Sequence, residues 1–393
     1  MNPFDELQGR LGAALSANRP GSNVDHVLIA LPSFSVGESL LSHYVERIPG
    51  LEHRYLLAML LLSRIESCTF VFVSCRAPEP EVVDYYVSLL PTDKRDSARR
   101  RLRIIEVPDA SNRAVAAKLL DRPDLIDELR AWIAGRPALI EPWNVQADEV
   151  SLAERLGVPI NGTSPTLWPL GFKSAGRRLF AQAAVAHPAG REDVRSIADV
   201  VEAVASIRAL RPTAAGVVVK LDASGAGDGN VVIDLRTPRT LERTLAELPN
   251  WYVDELASGG VVEELVRGRT VTSPSVQLDM RPDGTVQVVA THEQVLGGPS
   301  GQVYVGCRFP ADADYAAQLA RDGNAVDQLL AEQGARGRAS IDIDRGTGVV
   351  LHMFAGLAID GRLGITAIGH DTDHAGELYD AAAHAIADSA TSN

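Results

Sequence analysis

The segments His26-Val-Leu-Ile-Ala-Leu31 and Thr69-Phe-Val-Phe-Val-Ser74 are continuous apolar runs, and they constrain the fold more than any other feature of the chain. A strand that is apolar on both faces must be covered on both faces, as in a parallel sheet held between helices. Leu102–Val107 and Ala138–Glu141 read as further strands. Helix-like segments at residues 54–64, Ala114–Leu120 and Leu125–Ala134 lie between them. This alternation predicts an open, parallel α/β sheet for the first part of the chain. The basic run Lys94–Arg101 reads as a solvated helix face.

Turn residues crowd Gly157–Pro165 and mark a boundary between residues 150 and 172. Phe172–Phe180 then begins like a helix. Ser196 and Asp199 form a capping pair for another, whose buried face is expected at Ile197, Val200, Val201, Val204, Ile207 and Leu210. Val261–Val266 reads as a short strand. Val276, Leu278 and Met280 alternate, Pro282-Asp283-Gly284 turns, and Val286, Val288 and Ala290 alternate back, which predicts a hairpin. A helix over Tyr315–Gln333 leads to a strand at Ala339–Asp342. Leu351–Leu357, a strand at residues 361–369 and an alanine-rich helix close the chain. The second half is therefore α+β, and the expected divisions are residues 1–165, 166–265 and 266–393.

Composition narrows the partners. The 393 residues carry a formal charge of −13, with 38 lysines and arginines against 51 acids. Nucleic acid and anionic membranes both reward a basic surface, so neither is expected as the main partner. The apolar run Tyr55–Leu62 is too short to span a bilayer. The beginning MNPFDELQGR has no signal-peptide pattern, and Cys68, Cys75 and Cys307 have no metal spacing; a cytoplasmic location is expected. The cysteines are expected to be small buried residues.

The stretch VVVKLDASGAGDGN, residues 217–230, ends a β-branched run on Lys220 and opens into a loop with Gly225, Gly227 and Gly229. With Lys173 before it and Glu263-Glu264-Leu265-Val266 after it, this suits a nucleoside triphosphate clamped between two sheets. Ammonium groups from separate segments neutralise phosphate oxygens. Glycines bring backbone N–H donors close to them. A strand edge offers a carbonyl and an N–H to the adenine edge. No Walker loop is present, and no helix pattern follows the glycines as a dinucleotide fold requires.

In this order the residues resemble the ATP-grasp fold, whose members form carbon–nitrogen bonds through an acyl phosphate. Ile48–Gly50, Tyr85–Pro91, Lys118–Pro123, Gly190–Ser196, Thr291–Gln302 and Gly306–Pro310 look like the pheganomycin-type peptide ligases, and His352–Gly369 continues the likeness. The resemblance implies a pre-ATP-grasp domain, a central region with the glycine loop and a C-terminal subdomain with the metal site. It implies ATP and Mg2+ as cofactors. Lys173 and Lys220 would bind phosphates, and Ser224–Gly229, including Ser224, Gly225, Gly227 and Gly229, would be the mobile loop over them. Glu263, Glu264 and Val266 would line the adenine, with Thr270 standing where an acid usually meets the ribose. Asp342 would hold magnesium, and Arg308 and His292 would meet the phosphate or the acyl phosphate. The implied substrates are an amino acid or small carboxylate and a peptide or amine nucleophile, and the implied setting is peptide natural-product biosynthesis.

One departure stands out. ATP-grasp enzymes place a Glu-x-Asn pair on the strand after the first metal carboxylate, yet no glutamate occurs here between Asp342 and Glu377, and the later asparagine is Asn393. Alternation in Ser340-Ile341-Asp342 sets Asp342 opposite the isoleucine, which suits either a metal or plain solvent. Two readings follow. Either the native chain has a further segment near Asp344, visible as an intact mass above 42.0 kDa, or the protein binds ATP without catalysis. A two-domain glycosyl transferase shares the α/β first half, but the hairpin at Val276–Ala290 opposes it.

Overall fold

The computed structural model describes residues 3–35, 52–224, 229–266, 272–297, 303–342 and 348–351. Three sheets succeed one another along the chain. In the first, β1 (His26–Leu31), β2 (Cys68–Ser74), β3 (Leu102–Glu106) and β4 (Ala138–Pro142) are all parallel, in the order β3-β2-β1-β4. Every residue of β1 is buried, as its unbroken apolar run requires. Val27, Ile29 and Leu31 face one core, beneath α5 (Val115–Leu120), α6 (Pro123–Ile133) and α7 (Ala147–Leu156). Leu28 and Ala30 face the other, beneath α2 (Leu11–Ala17), α3 (Pro80–Ser88) and α4 (Arg95–Arg101), while α1 (Pro3–Gln8) sends Phe4 into the first core.

Two expectations change here. The apolar segment at 54–64 is a 3-10 helix, Tyr55–Ser63, rather than an α-helix. It is apolar on all sides, so no helical stripe selects the α period, and burial on every side holds it instead. The run Lys94–Arg101 is only partly solvated. Arg101 turns inward and donates to Leu62 O (2.6 Å), Ile65 O (2.8 Å) and Cys68 O (3.2 Å), supplying donors to carbonyls at the end of that 3-10 helix.

The second sheet is antiparallel and ordered β5-β8-β6-β7, with β5 Gly190–Arg191, β6 Gly216–Leu221, β7 Asn230–Asp234 and β8 Gly260–Glu264. It is covered by α9 (Ile197–Leu210), α10 (Thr240–Ala246) and α11 (Asn250–Leu256). The Ser196 hydroxyl caps α9 by accepting from Asp199 N at 3.1 Å, as its sequence predicts. The buried stripe is Val200, Ala203, Val204 and Ile207; Val201 is 46% exposed and Leu210 67%. Both fall off a face that repeats every 3.6 residues from Val200.

The third sheet is antiparallel, β11-β10-β9-β12-β13, with β9 Ser273–Met280, β10 Val286–Gly297, β11 Val303–Arg308, β12 Gly337–Asp342 and β13 Gly348–Leu351. The expected β9–β10 hairpin forms, and Gly284 takes φ +83° in its turn. One face packs on α12 (Ala313–Glu332), where Gly323 lets the helix approach so closely that a Cβ would lie 2.3 Å from Val276 Cγ1.

Helix α8 (Lys173–Gln182) joins the second and third sheets. Leu179 and Phe180 enter the core of the third, while Arg177 reaches Glu263 of β8. The strand expected at 361–369 and the alanine-rich helix lie outside the described residues. No described helix is long and apolar enough to cross a membrane.

Candidate active site

On β6, Val217, Val219 and Leu221 enter the core under α9, so Val218 and Lys220 point to the opposite face. Glu263 stands in register with Val218, which puts its carboxylate on the same face. There Glu263 Oε2 lies 2.6 Å from Lys220 Nζ, and Oε1 accepts from Arg177 Nη1 at 2.7 Å. All three side chains are enclosed, at 8%, 1% and 3% exposure for Lys220, Glu263 and Arg177. Arg177 also donates to Glu192 Oε1 (2.6 Å) and Pro188 O (3.1 Å).

Lys173 opens α8, and its ammonium donates to Leu221 O (2.8 Å), Ser224 O (2.5 Å) and Ser224 Oγ (3.0 Å). It thus grips the start of the loop that leaves β6. Burial lowers the Lys173 ammonium to about 8; the neighbouring Lys220 adds to that, and Asp222, Glu263 and Asp342 oppose it. Asp222 Oδ1 accepts from Ser174 N at 2.8 Å, placing a carboxylate at the positive end of α8. Where the loop re-enters the described chain, Gly229 takes φ +80° and its carbonyl accepts from Tyr252 OH at 2.9 Å. Gly225 and Gly227 lie outside the described residues.

Across from these lysines is the polar row of the third sheet. Asp342 of β12 and His292 of β10 both stand opposite Ser275 of β9, so the three share a face, opposite the Val276 and Ile341 row that packs on α12. Asp342 receives hydrogen bonds from Ser275 and Gln294. Burial pushes its carboxyl up, against the pull of those bonds and of Lys220 and Lys173. His292 is buried against the Phe309 ring, 4.8 Å between centroids, and burial lowers it to about 4, leaving a neutral imidazole at neutral pH. Arg308 takes a different position. It is exposed and in register with Glu293, whose carboxylate accepts from Asp312 N and Tyr315 OH on the α12 side. Arg308 and His292 therefore lie on opposite faces of the third sheet, because Glu293, opposite Arg308, follows His292 along β10 and neighbours along a strand alternate faces.

At the strand edge, Glu264 N donates to Ala189 O (2.8 Å) and Leu265 N to Gly216 O (2.9 Å). Val266 N has no main-chain acceptor among the described residues. The Glu263 side chain is turned inward to the lysine, which leaves its main-chain atoms for any adenine contact, while the Glu264 carboxylate lies 3.6 Å from Arg211. Thr270 lies outside the described residues. Among the described residues no group of three His, Cys, Asp or Glu could hold a metal by itself.

Arg177, Asp222, Ser275 and Gln294 are members of this site that sequence reasoning passed over. Two of them had a visible signal. Arg177 lies one helical turn after Lys173 and so on its face. Ser273, Ser275 and Gln277 form a polar alternation opposite Val276 and Leu278.

The arrangement brings two ammonium groups, with Glu263 and Asp222 beside them, within electrostatic reach of Asp342 across a cleft between antiparallel sheets, which suits a polyanion carrying a divalent cation. Residues 71–158 match the family model described as the Pre ATP-grasp domain, and residues 342–382 the model described as the PGM1 C-terminal domain. L-propargylglycine--L-glutamate ligase of Streptantibioticus cattleyicolor is 33% identical over 286 residues, which are 69% of this chain and 59% of that protein. IQ motif-containing protein H of Danio rerio is 23% identical over 340 residues, 71% of this chain and 32% of that protein. The chain therefore spans less than two thirds of either relative. The structure of the biotin carboxylase–beta-gamma-ATP complex from Campylobacter jejuni superposes with a TM-score of 0.51 at 14% identity, covering 91% of this chain and 67% of that one, and shows the shared fold.

Proposed function

We propose that the chain is a member of the ATP-grasp superfamily and an ATP-dependent carboxylate–amine ligase that forms an amide bond through an acyl phosphate, a reading supported by the Pre ATP-grasp match and the likeness to an amino-acid ligase. The observation that supports this most is the convergence of Lys173, Lys220 and Asp342, from three separate segments, within electrostatic reach of one another. The proposed divisions remain residues 1–165, 166–265 and 266–393.

In this reading Lys173 and Lys220 exchange their present partners for phosphate oxygens and neutralise charge on the transferred phosphoryl group. Ser224 and Gly229 bound the phosphate end, while main-chain atoms of Glu263, Glu264 and Val266 meet the adenine. Asp342 would hold Mg2+, which supplies charge neutralisation between the phosphates when bound. A single described carboxylate fits a magnesium site completed largely by phosphate oxygens and water. His292, a neutral imidazole on the same row, would take the proton released as the amine attacks the acyl phosphate. Arg308 is kept as a proposed contact for the acyl phosphate, with Arg308→Ala as its test. The balance is simple: the carboxylate oxygen attacks the γ-phosphorus and ADP leaves, then the amine nitrogen displaces inorganic phosphate and loses a proton.

The ligase relative's name couples two amino acids, so we propose amino-acid substrates, one supplying a carboxylate and the other an amine, in natural-product biosynthesis. The test is phosphate release from ATP and Mg2+ with a pool of amino acids and short peptides. Release that needs both a carboxylate and an amine and vanishes in Lys220→Ala supports the ligase. The sequence after Asp342, which has no Glu-x-Asn pair, favours a second reading, an ATP-binding protein without turnover. It would show ATP binding and no phosphate release across the pool.

A further inference from the structure

Lys220 reaches the proposed phosphate site already paired with a carboxylate, and the same carboxylate is held by a second cation. We infer that Arg177 is a positioning residue for the nucleotide phosphates: by sharing Glu263, it prevents that carboxylate from cancelling Lys220 and aims the lysine into the site. The inference rests on the ATP reading of this cleft.

The geometry gives each oxygen of Glu263 its own cation, Oε2 to Lys220 and Oε1 to Arg177. With Glu263 alone, a buried Lys220 would form a closed neutral pair, and a phosphate would have to break it. With Arg177 present, the enclosed trio carries a net positive charge. The carboxylate that balances Arg177 on its far side, Glu192, is 30% exposed, so water screens it more than it screens Glu263. The charge facing the cleft is therefore that of both lysines rather than of Lys173 alone. The backbone has been cleared for this guanidinium. A Cβ at Gly190 would lie 2.8 Å from Arg177 Cζ and 2.6 Å from Val262 O, so β5 can lie beside it only as glycine. The Pro188 carbonyl and Glu192 then fix the guanidinium plane, which leaves Glu263 one orientation.

A purely structural Arg177 would cross-link β8 to the Pro188–Glu192 segment and affect all ligands alike. A positioning Arg177 acts on phosphate alone, and only through Lys220. The experiment titrates ATP and, separately, adenosine onto the full chain by calorimetry, for the native protein, Arg177→Met, Lys220→Met and the double variant. Arg177→Met is expected to weaken ATP binding about tenfold, the scale of one charge-assisted contact, with adenosine unchanged. In the Lys220→Met background the same change should cost less than about twofold, since the path to phosphate is gone. Arg177→Lys keeps a cation that can reach one carboxylate at a time; a loss of about threefold is expected, and this variant carries the cycle if the methionine form does not fold. Equal weakening of ATP and adenosine, an undiminished effect in the Lys220→Met background, or no effect on ATP overturns the inference while leaving the ATP reading intact. A native protein that binds no ATP overturns both.

Discussion

Raising the pH from 7 to 9 should weaken ATP binding about tenfold, because the Lys173 ammonium is lowered to about 8 in the free protein. Burial is the main cause and Lys220 the second, so both act before nucleotide arrives. Phosphate favours the charged form and would return the group toward its ordinary value of 10.5. The sign follows from this difference. Below about pH 8 the lysine is already protonated and binding is independent of pH; above it, binding must first take up a proton, and affinity falls by up to about tenfold per pH unit. At pH 9 only about a tenth of the free protein carries the charge. The phosphates of ATP are close to fully ionised throughout this range, so the change belongs to the protein. Calorimetry in buffers of different ionisation enthalpy reads both the affinity and the proton taken up, expected to approach one per ATP at pH 9. Lys173→Met should bind more weakly and remain flat with pH. A native affinity that stays level between pH 7 and 9.5, or the same decline in Lys173→Met, would refute the reasoning.

Asp342→Asn should retain ATP binding in the absence of magnesium but lose most of the tightening that magnesium brings, measured by titrating ATP with and without the ion. Gly323→Ala should destabilise the protein by about 1–3 kcal/mol in urea unfolding, although alanine favours a helix by about 1 kcal/mol, because its Cβ would lie 2.3 Å from Val276 Cγ1. Asp327 is fully buried, and burial raises its carboxyl to about 8, with Asp279 adding to the shift. The folded protein therefore keeps a proton that the unfolded chain releases, so this group's contribution to stability falls as pH rises from about 4 toward 8. Asp327→Asn should remove that slope: its Tm should rise relative to the native protein between pH 5 and 8, and a constant gap would contradict it.

Much of the architecture was legible from local chemistry. Unbroken apolar runs at His26–Leu31 and Thr69–Ser74 require cover on both faces, and they form the adjacent parallel strands β1 and β2. Alternation separates Asp342 from Ile341, and the Pro282-Asp283-Gly284 turn specifies its hairpin, because both depend on residues only a few positions apart. The ordered series Lys173, Lys220, Glu263 and Asp342 was likewise visible as a series. The partner of each charge was not.

That Glu263 would turn inward to Lys220 and Arg177 depends on the pairing of β6 with β8 and on α8 crossing between two sheets, contacts between segments far apart in the chain. The face of Arg308 depends on the register of β11 against β10, which no periodicity within β11 reveals. Arg101 looked like one more solvated arginine until the end of a 3-10 helix needed its donors. The sequence by itself therefore determined most of the longer strands, the β9–β10 turn, the Ser196 cap and which residues could carry charge into a site. Only the tertiary structure decided which charges meet, because a buried ion takes whatever partner the packed chain brings within reach, and that choice is made by long-range pairing rather than by local period.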